Sequence, residues 1–154
     1  SPVNADIIQV ESAQEMYEEC ARQWEHCDAL FAVAAVSDYR PSTIHSQKMK
    51  RASNQLSIEL VANLDIVQTL AATKGERLVV GFALESENGE QHACQKLESK
   101  NLDFICLNAL QSQGADVSEM TVLNRDTQWQ IGPCPKASLA TKLVEVILEN
   151  SNVY

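Results

Sequence analysis

Three groups of residues in this chain have the types and spacing to do chemistry. Asp38 follows the apolar run Leu30–Val36 after a single serine and opens the segment Asp38-Tyr-Arg-Pro41. A carboxylate placed where a buried strand ends has to be solvated, paired or bound to a cation. Lys48, Lys50 and Arg51 form a compact basic cluster a little further on, and Lys96 and Lys100 are spaced to share one face of a helix. Like charges on one helix face repel by a few tenths of a kcal/mol unless an anion lies between them. The whole chain carries 21 acidic against 12 basic residues, a formal net charge of −9. Concentrated cation in such a background suits a phosphate or triphosphate ligand.

These residues need elements to position them. Ser12 and Glu15 form a Ser-x-x-Glu capping box, and Met16, Cys20, Ala21, Trp24 and Cys27 follow at helical offsets, which predicts a helix over 13–27. The run 30–36 is expected as a strand buried on both faces of a parallel sheet. Alternation in Leu56-Ser-Ile-Glu-Leu60 predicts a half-buried strand at an edge or in an excursion. A helix over 65–72 with Gly75 as its stop, a buried strand over 78–82, a helix over 88–100 and a buried strand over 102–107 follow. Residues 121–124 and 129–131 flank Arg125-Asp126 as a short hairpin, and 136–149 closes the chain as an amphipathic helix. Strand-helix-strand alternation predicts an α/β fold, a Rossmann-like parallel sheet flanked by helices in three layers, with a small β excursion. Asp38, Asn63 to Asp65, Gly81-Phe82 and Asn108 then fall at strand ends or strand-helix junctions, where such a sheet builds its crevice.

Composition narrows the function. A chain of 154 residues with 45% hydrophobic content supports one core, so 1–154 is expected to be a single domain. The acidic balance argues against nucleic acid or an anionic membrane as partner. No apolar stretch is long enough to span a bilayer, and Ser1-Pro-Val-Asn-Ala-Asp6 lacks the regions of a signal peptide, so a cytoplasmic protein is expected. Five cysteines without a CxxC pair predict reduced thiols, with Cys106 buried and Cys134, between two prolines, the one expected at the surface. His26, His45 and His92 are scattered and complete no metal set, so no protein metal ligands are assigned. Neither a GxGxxG nor a GxxxxGK[ST] fingerprint occurs.

Five motifs together resemble a known family: Ala34-Ala-Val-Ser-Asp-Tyr-Arg-Pro41, Lys48-Met-Lys-Arg51, Asn63-Leu-Asp-Ile66, Gly81-Phe-Ala-Leu-Glu85 and Lys96-x-x-x-Lys-Asn-Leu-Asp-Phe-Ile105. Their order and spacing are similar to phosphopantothenoylcysteine synthetase, the ligase domain of the bacterial bifunctional coenzyme A biosynthesis flavoprotein, often fused behind a decarboxylase domain. The resemblance implies a dimeric, Rossmann-like ligase that joins 4'-phosphopantothenate to L-cysteine. Bacterial members use CTP with Mg²⁺ and pass through an acyl-cytidylate; eukaryotic relatives use ATP. The implied nucleotide-binding positions are Ala34, Asp38, Lys48, Asn63, Leu64, Asp65, Ile66, Phe82, Lys96 and Lys100, with Lys48 the catalytic candidate close to the acyl centre. Asp38 would meet the nucleotide or its Mg²⁺, Lys96 and Lys100 its phosphates, backbone groups of 63–66 its base, and Phe82 would pack against it.

Leu64 stands where the family usually has proline, and Ala115 where it usually has phenylalanine. Family members also carry an upstream strand, a Gly-rich turn and an Asn-x-Ser-Ser-Gly segment, so the chain is expected to be a fragment of the ligase domain. Two readings stay open: a CTP-dependent phosphopantothenate–cysteine ligase, and a catalytically incomplete nucleotide-binding or assembly module of the same fold.

Overall fold

The computed structural model describes residues 4–44, 47, 55–85, 89–109 and 117–151. Its frame is a five-stranded sheet in the order β1-β4-β5-β6-β7, built from β1 (Ala29–Ala32), β4 (Leu78–Glu85), β5 (Phe104–Ala109), β6 (Val117–Leu123) and β7 (Gln128–Pro135). β1, β4 and β5 run parallel, and β6 and β7 continue the sheet antiparallel. A separate two-stranded ribbon pairs β2 (Tyr39–Pro41) with β3 (Leu60–Ala62).

Strand alternation sorts the core onto two faces. Val79 and Ala83 of β4 share one face with Ile105 and Leu107 of β5, covered by α1 (Ala13–Trp24), α2 (Ile66–Ala71) and α3 (Gly89–Ser99) through Trp24, Leu70, Ala93 and Leu97. Leu78, Val80, Phe104, Cys106 and Val122 point the other way, against Leu139, Leu143 and Ile147 of α4 (Lys136–Glu149). The result is the expected three-layer α/β architecture, with a sheet that is mixed rather than wholly parallel.

Helix starts follow the local chemistry. The Ser12 hydroxyl accepts from the Glu15 amide at 3.2 Å, and the Glu15 carboxylate accepts from the Glu11 amide at 2.7 Å, so both side chains serve donors that the first turn leaves unpaired. α1 ends at Trp24 rather than Cys27, where the indole N–H donates to the Leu70 carbonyl at 3.1 Å and fastens α1 to α2. The similar tetrapeptides Asn63-Leu-Asp-Ile66 and Asn101-Leu-Asp-Phe104 do different work. Asp65 caps α2, whereas Asp103 accepts from the Val79 amide at 2.8 Å and from Lys74 Nζ at 2.6 Å, tying β5 to β4.

Three expectations are corrected. The apolar run after Leu30 is a strand only to Ala32; Val33 is 65% exposed, and β1 pairs, among the described residues, with β4 alone and has no fully buried residue, so it is an edge strand rather than one buried on both faces. The strand expected at 56–60 lies instead at Leu60–Ala62, because its partner is the β2 ribbon rather than a packed sheet that would bury an alternating face. Cys134 is half-buried and packs against the α4-side core; Cys94 is the exposed cysteine. Cys106 is fully buried as expected, and burial pushes its thiol up to about 12. The hairpin at Arg125-Asp126 forms without glycine because the Asn124 side-chain carbonyl accepts from the Asp126 and Thr127 amides at 2.9 and 2.7 Å.

Candidate functional site

The ladder between β1 and β4 stops at Ala32↔Gly81, while β4 continues to Glu85. Beyond that point the chain leaves the sheet, and a cavity of about 170 Å³ opens beside β4. Four stretches wall it: the turn-rich segment after β1 (Ala34, Val36, Ser37, Asp38), the lead-in and first turn of α2 (Asn63 to Val67), Gly81 and Phe82, and Lys96 and Lys100 on and just after α3. Ala34, Asp38, Asn63, Leu64, Asp65, Ile66, Phe82, Lys96 and Lys100 thus border one space. Lys48, with Lys50 and Arg51, lies outside the described residues.

Asp38 is exposed and stands six positions beyond the end of β1, at the root of the β2–β3 ribbon rather than at a strand terminus. Its backbone carbonyl accepts from the Asn63 amide at 2.8 Å, which continues the ribbon's pairing towards the cavity. Asn63 uses both ends of its carboxamide: Nδ2 donates to the Ser37 carbonyl at 2.7 Å, and Oδ1 accepts from Arg40 at 3.1 Å. Leu64, 46% exposed at the position where proline was expected, sits between that clasp and the Asp65 cap.

Asp65 is the most heavily engaged carboxylate at the cavity. One oxygen accepts from the Gln68 amide at 3.0 Å and the other lies 2.8 Å from Lys100 Nζ. Partial burial acts to raise its pKa, but the Gln68 amide and the Lys100 ammonium outweigh it and hold the carboxyl below its ordinary value. Lys100 therefore has a protein counter-charge, so the Lys96/Lys100 spacing by itself does not require an anion.

Strand alternation puts Gly81 and Phe82 on opposite faces. The Phe82 ring packs with the α4-side core, which leaves the residue's backbone as what it offers a cavity shared with Gly81. Gly81 leaves little room: an added Cβ would lie 2.7 Å from Leu102 Cδ1, so the buried leucine would have to shift. Ser37 and Arg40 were not singled out from the sequence as site residues, whereas Gly81 was, as part of the Gly81-Phe82 pair; a glycine inside an apolar strand was its signal.

Among the described residues, no three His, Cys, Asp or Glu side chains gather to hold a metal, and no helix is long and apolar enough to cross a membrane. A Mg²⁺ carried by a triphosphate takes most ligands from phosphate and water and needs one or two carboxylates. The exposed Asp38 carboxylate on the cavity wall fits that demand.

A cavity beside the open flank of a parallel β-α-β sheet, with lysines on one wall and carboxylates on another, defines a Rossmann-like α/β domain. The chain belongs to the family described as the DNA/pantothenate metabolism flavoprotein C-terminal domain, whose sequence model matches residues 1–150. It is 38% identical over 156 residues to the coenzyme A biosynthesis bifunctional protein CoaBC of Vibrio parahaemolyticus, an alignment covering 97% of this chain and 39% of that protein. It is 41% identical over 127 residues to the CoaBC of Vibrio vulnificus strain YJ016, covering 79% and 32%. The chain thus spans 32% to 39% of the length of these relatives. Among solved structures, the crystal structure of the C-terminal domain of CoaBC superposes with a TM-score of 0.77 at 32% identity, covering 97% of this chain and 69% of that one. The DNA/pantothenate metabolism flavoprotein of Streptococcus pneumoniae shares the fold, with a TM-score of 0.80 at 19% identity and coverage of 97% and 75%.

Proposed function

We propose that this chain is the nucleotide-binding body of a ligase that joins 4'-phosphopantothenate to L-cysteine in coenzyme A biosynthesis, using CTP. The observation that carries this reading is convergence: nine residues from four separate stretches, chosen for nucleotide binding, wall one cavity. Membership of a family shared with coenzyme A biosynthesis proteins supports the substrate class.

In this reading the substrate carboxylate attacks the α-phosphorus of CTP, pyrophosphate leaves, and the cysteine amine then displaces CMP to form the amide. Activation is needed because a carboxylate is a poor acyl donor. Lys96 and Lys100 hold the phosphates and offset the charge that builds as pyrophosphate departs. The triphosphate brings several negative charges against one from Asp65, and an ammonium has three donors, so Lys100 can serve both. Asp38 holds the accompanying Mg²⁺, which lowers the charge that the incoming carboxylate meets. Backbone groups of Asn63 to Ile66 and Phe82 face the base, and Lys48 acts near the acyl carbon.

A homodimer belongs to the same proposal. Tyr39 and Leu60 of the ribbon are 61% and 54% exposed, and a two-stranded ribbon is marginal in water without cover. A decarboxylase domain fused upstream, and a cytoplasmic location, complete the reading.

The test is equilibrium binding of CTP and of ATP, each with and without Mg²⁺, to the folded chain. Tighter Mg²⁺-dependent binding of CTP is expected. Binding of neither nucleotide would leave the catalytically incomplete assembly module as the better account.

A further inference from the structure

Two of the cavity's walls, the Ser37–Asp38 segment and the Asn63–Asp65 segment, lie beyond the last rung of the strand ladder. The ribbon's register begins at Tyr39↔Ala62, one residue outside them. What joins them is a set of hydrogen bonds centred on Asn63. Its amide donates to the Asp38 carbonyl at 2.8 Å, and its Nδ2 donates to the Ser37 carbonyl at 2.7 Å and lies 3.4 Å from the Ser37 hydroxyl. Arg40, on β2, reaches back across the ribbon: one guanidinium nitrogen donates to the Ala62 carbonyl at 2.9 Å and to Asn63 Oδ1 at 3.1 Å.

Each end of the carboxamide therefore has one partner of the right polarity, and Arg40 fixes which way round it sits. Turned over, the Asn63 amide would present N–H groups to a guanidinium and its oxygen to the Ser37 carbonyl, and both contacts would be lost. Arg40 does not wall the cavity, whereas Ser37, Asp38 and Asn63 do. Its side-chain hydrogen bond to a wall residue is the one to Asn63.

We propose that Arg40 and Asn63 form a brace that sets the distance between the Asp38 wall and the 63–66 wall, with Arg40 a positioning residue for nucleotide binding. The inference rests on the reading of the cavity as a nucleotide site. Without Arg40 the carboxamide loses the contact that fixes its orientation and the Ser37 carbonyl its Nδ2 donor, which leaves the Asn63 backbone amide as the remaining described tie between the Asp38 wall and the α2 lead-in. Arg40 is exposed and Asn63 half-buried, and both lie outside the two core clusters, so the brace governs the site more than the stability of the sheet.

The experiment is a double-mutant cycle on the full chain with Arg40→Ala, Asn63→Ala and the pair, reading the Kd of Mg²⁺·CTP by calorimetry and the thermal midpoint in parallel. Arg40→Gln, a smaller truncation that removes the charge, serves as the second Arg40 variant. Each single substitution is expected to weaken binding about tenfold, the effect of one well-formed hydrogen bond, with the midpoint nearly unchanged. Because the two act as one unit, the double variant is expected to lose about tenfold in total rather than a hundredfold. A general electrostatic contribution of Arg40 to a triphosphate would instead multiply with the Asn63 loss. Multiplicative losses, or wild-type affinity in both Arg40 variants, overturn the brace alone. A wild-type chain that binds no nucleotide overturns the site reading and the brace with it.

Discussion

Asp65 performs two separable jobs, and one pair of substitutions tells them apart. Its carboxylate caps α2 through the Gln68 amide and holds Lys100 at 2.8 Å. Asp65→Asn keeps an oxygen for the cap, since asparagine is as good an N-cap as aspartate, and removes the charge. Asp65→Ala removes both. The cap contributes about 1 kcal/mol. The ion pair joins side chains that are 34% and 35% exposed, so solvent screening limits it to about 0.5 kcal/mol. Asp65→Asn should therefore cost about 0.5 kcal/mol and Asp65→Ala about 1.5 kcal/mol. Urea unfolding followed by tryptophan fluorescence measures both, because the Trp24 indole is bonded to the Leu70 carbonyl on the capped helix. The pH dependence adds a second reading. The folded pKa of Asp65 is depressed, so its charge contributes stability that is fully present above the unfolded value of about 3.9 and is lost as pH falls through the folded value. Wild type and Asp65→Asn should differ at neutral pH and converge in acid. If Asp65→Asn costs as much as Asp65→Ala, or if the gap persists in acid, the division into cap and ion pair is wrong.

Two other perturbations follow from the same geometry. Gly81→Ala places a methyl 2.7 Å from Leu102 Cδ1, in a core where Leu102 is 2% exposed. Overpacking of about 1–3 kcal/mol, reduced by the smaller unfolded-state entropy of alanine, predicts a net loss of about 1 kcal/mol in urea unfolding, and unchanged stability would refute the contact. Leu60→Lys puts a charge on the exposed apolar ribbon and should shift a dimer towards monomer in sedimentation experiments; a wild-type chain that is monomeric at micromolar concentration would remove the ribbon as an interface.

Elements whose signal is local were legible. α4 spans the residues that its apolar stripe marked, and α1 starts where its capping box said it would. Both depend on side chains within a turn or two of each other. Strands were harder because burial in a sheet depends on neighbours distant in sequence. The run after Leu30 stays apolar through Val36, yet the ladder with β4 has only four rungs, so β1 ends at Ala32, Val33 is exposed and Val36 lines the cavity wall. Alternation at 56–60 suggested a half-buried strand, but among the described residues the pairing falls on Leu60–Ala62, with β2.

The site divides along the same line. Asp65 and Lys100 could be chosen for charge and position, but their pairing joins residues brought together only by the packing of α2 and α3 on one face of the sheet. Asn63 could be marked as a junction residue, while its partners Ser37 and Arg40 precede it by 26 and 23 positions across a ribbon misplaced from sequence. Without the true register of Tyr39↔Ala62, nothing in the order of residues says that Arg40 faces Asn63. Residue type therefore indicated which groups are chemically equipped to meet an anion. Which of them are already committed to one another, as Lys100 is to Asp65 and Asn63 to Arg40, follows only from tertiary packing, and those commitments decide what the proposed nucleotide would displace or share on entering.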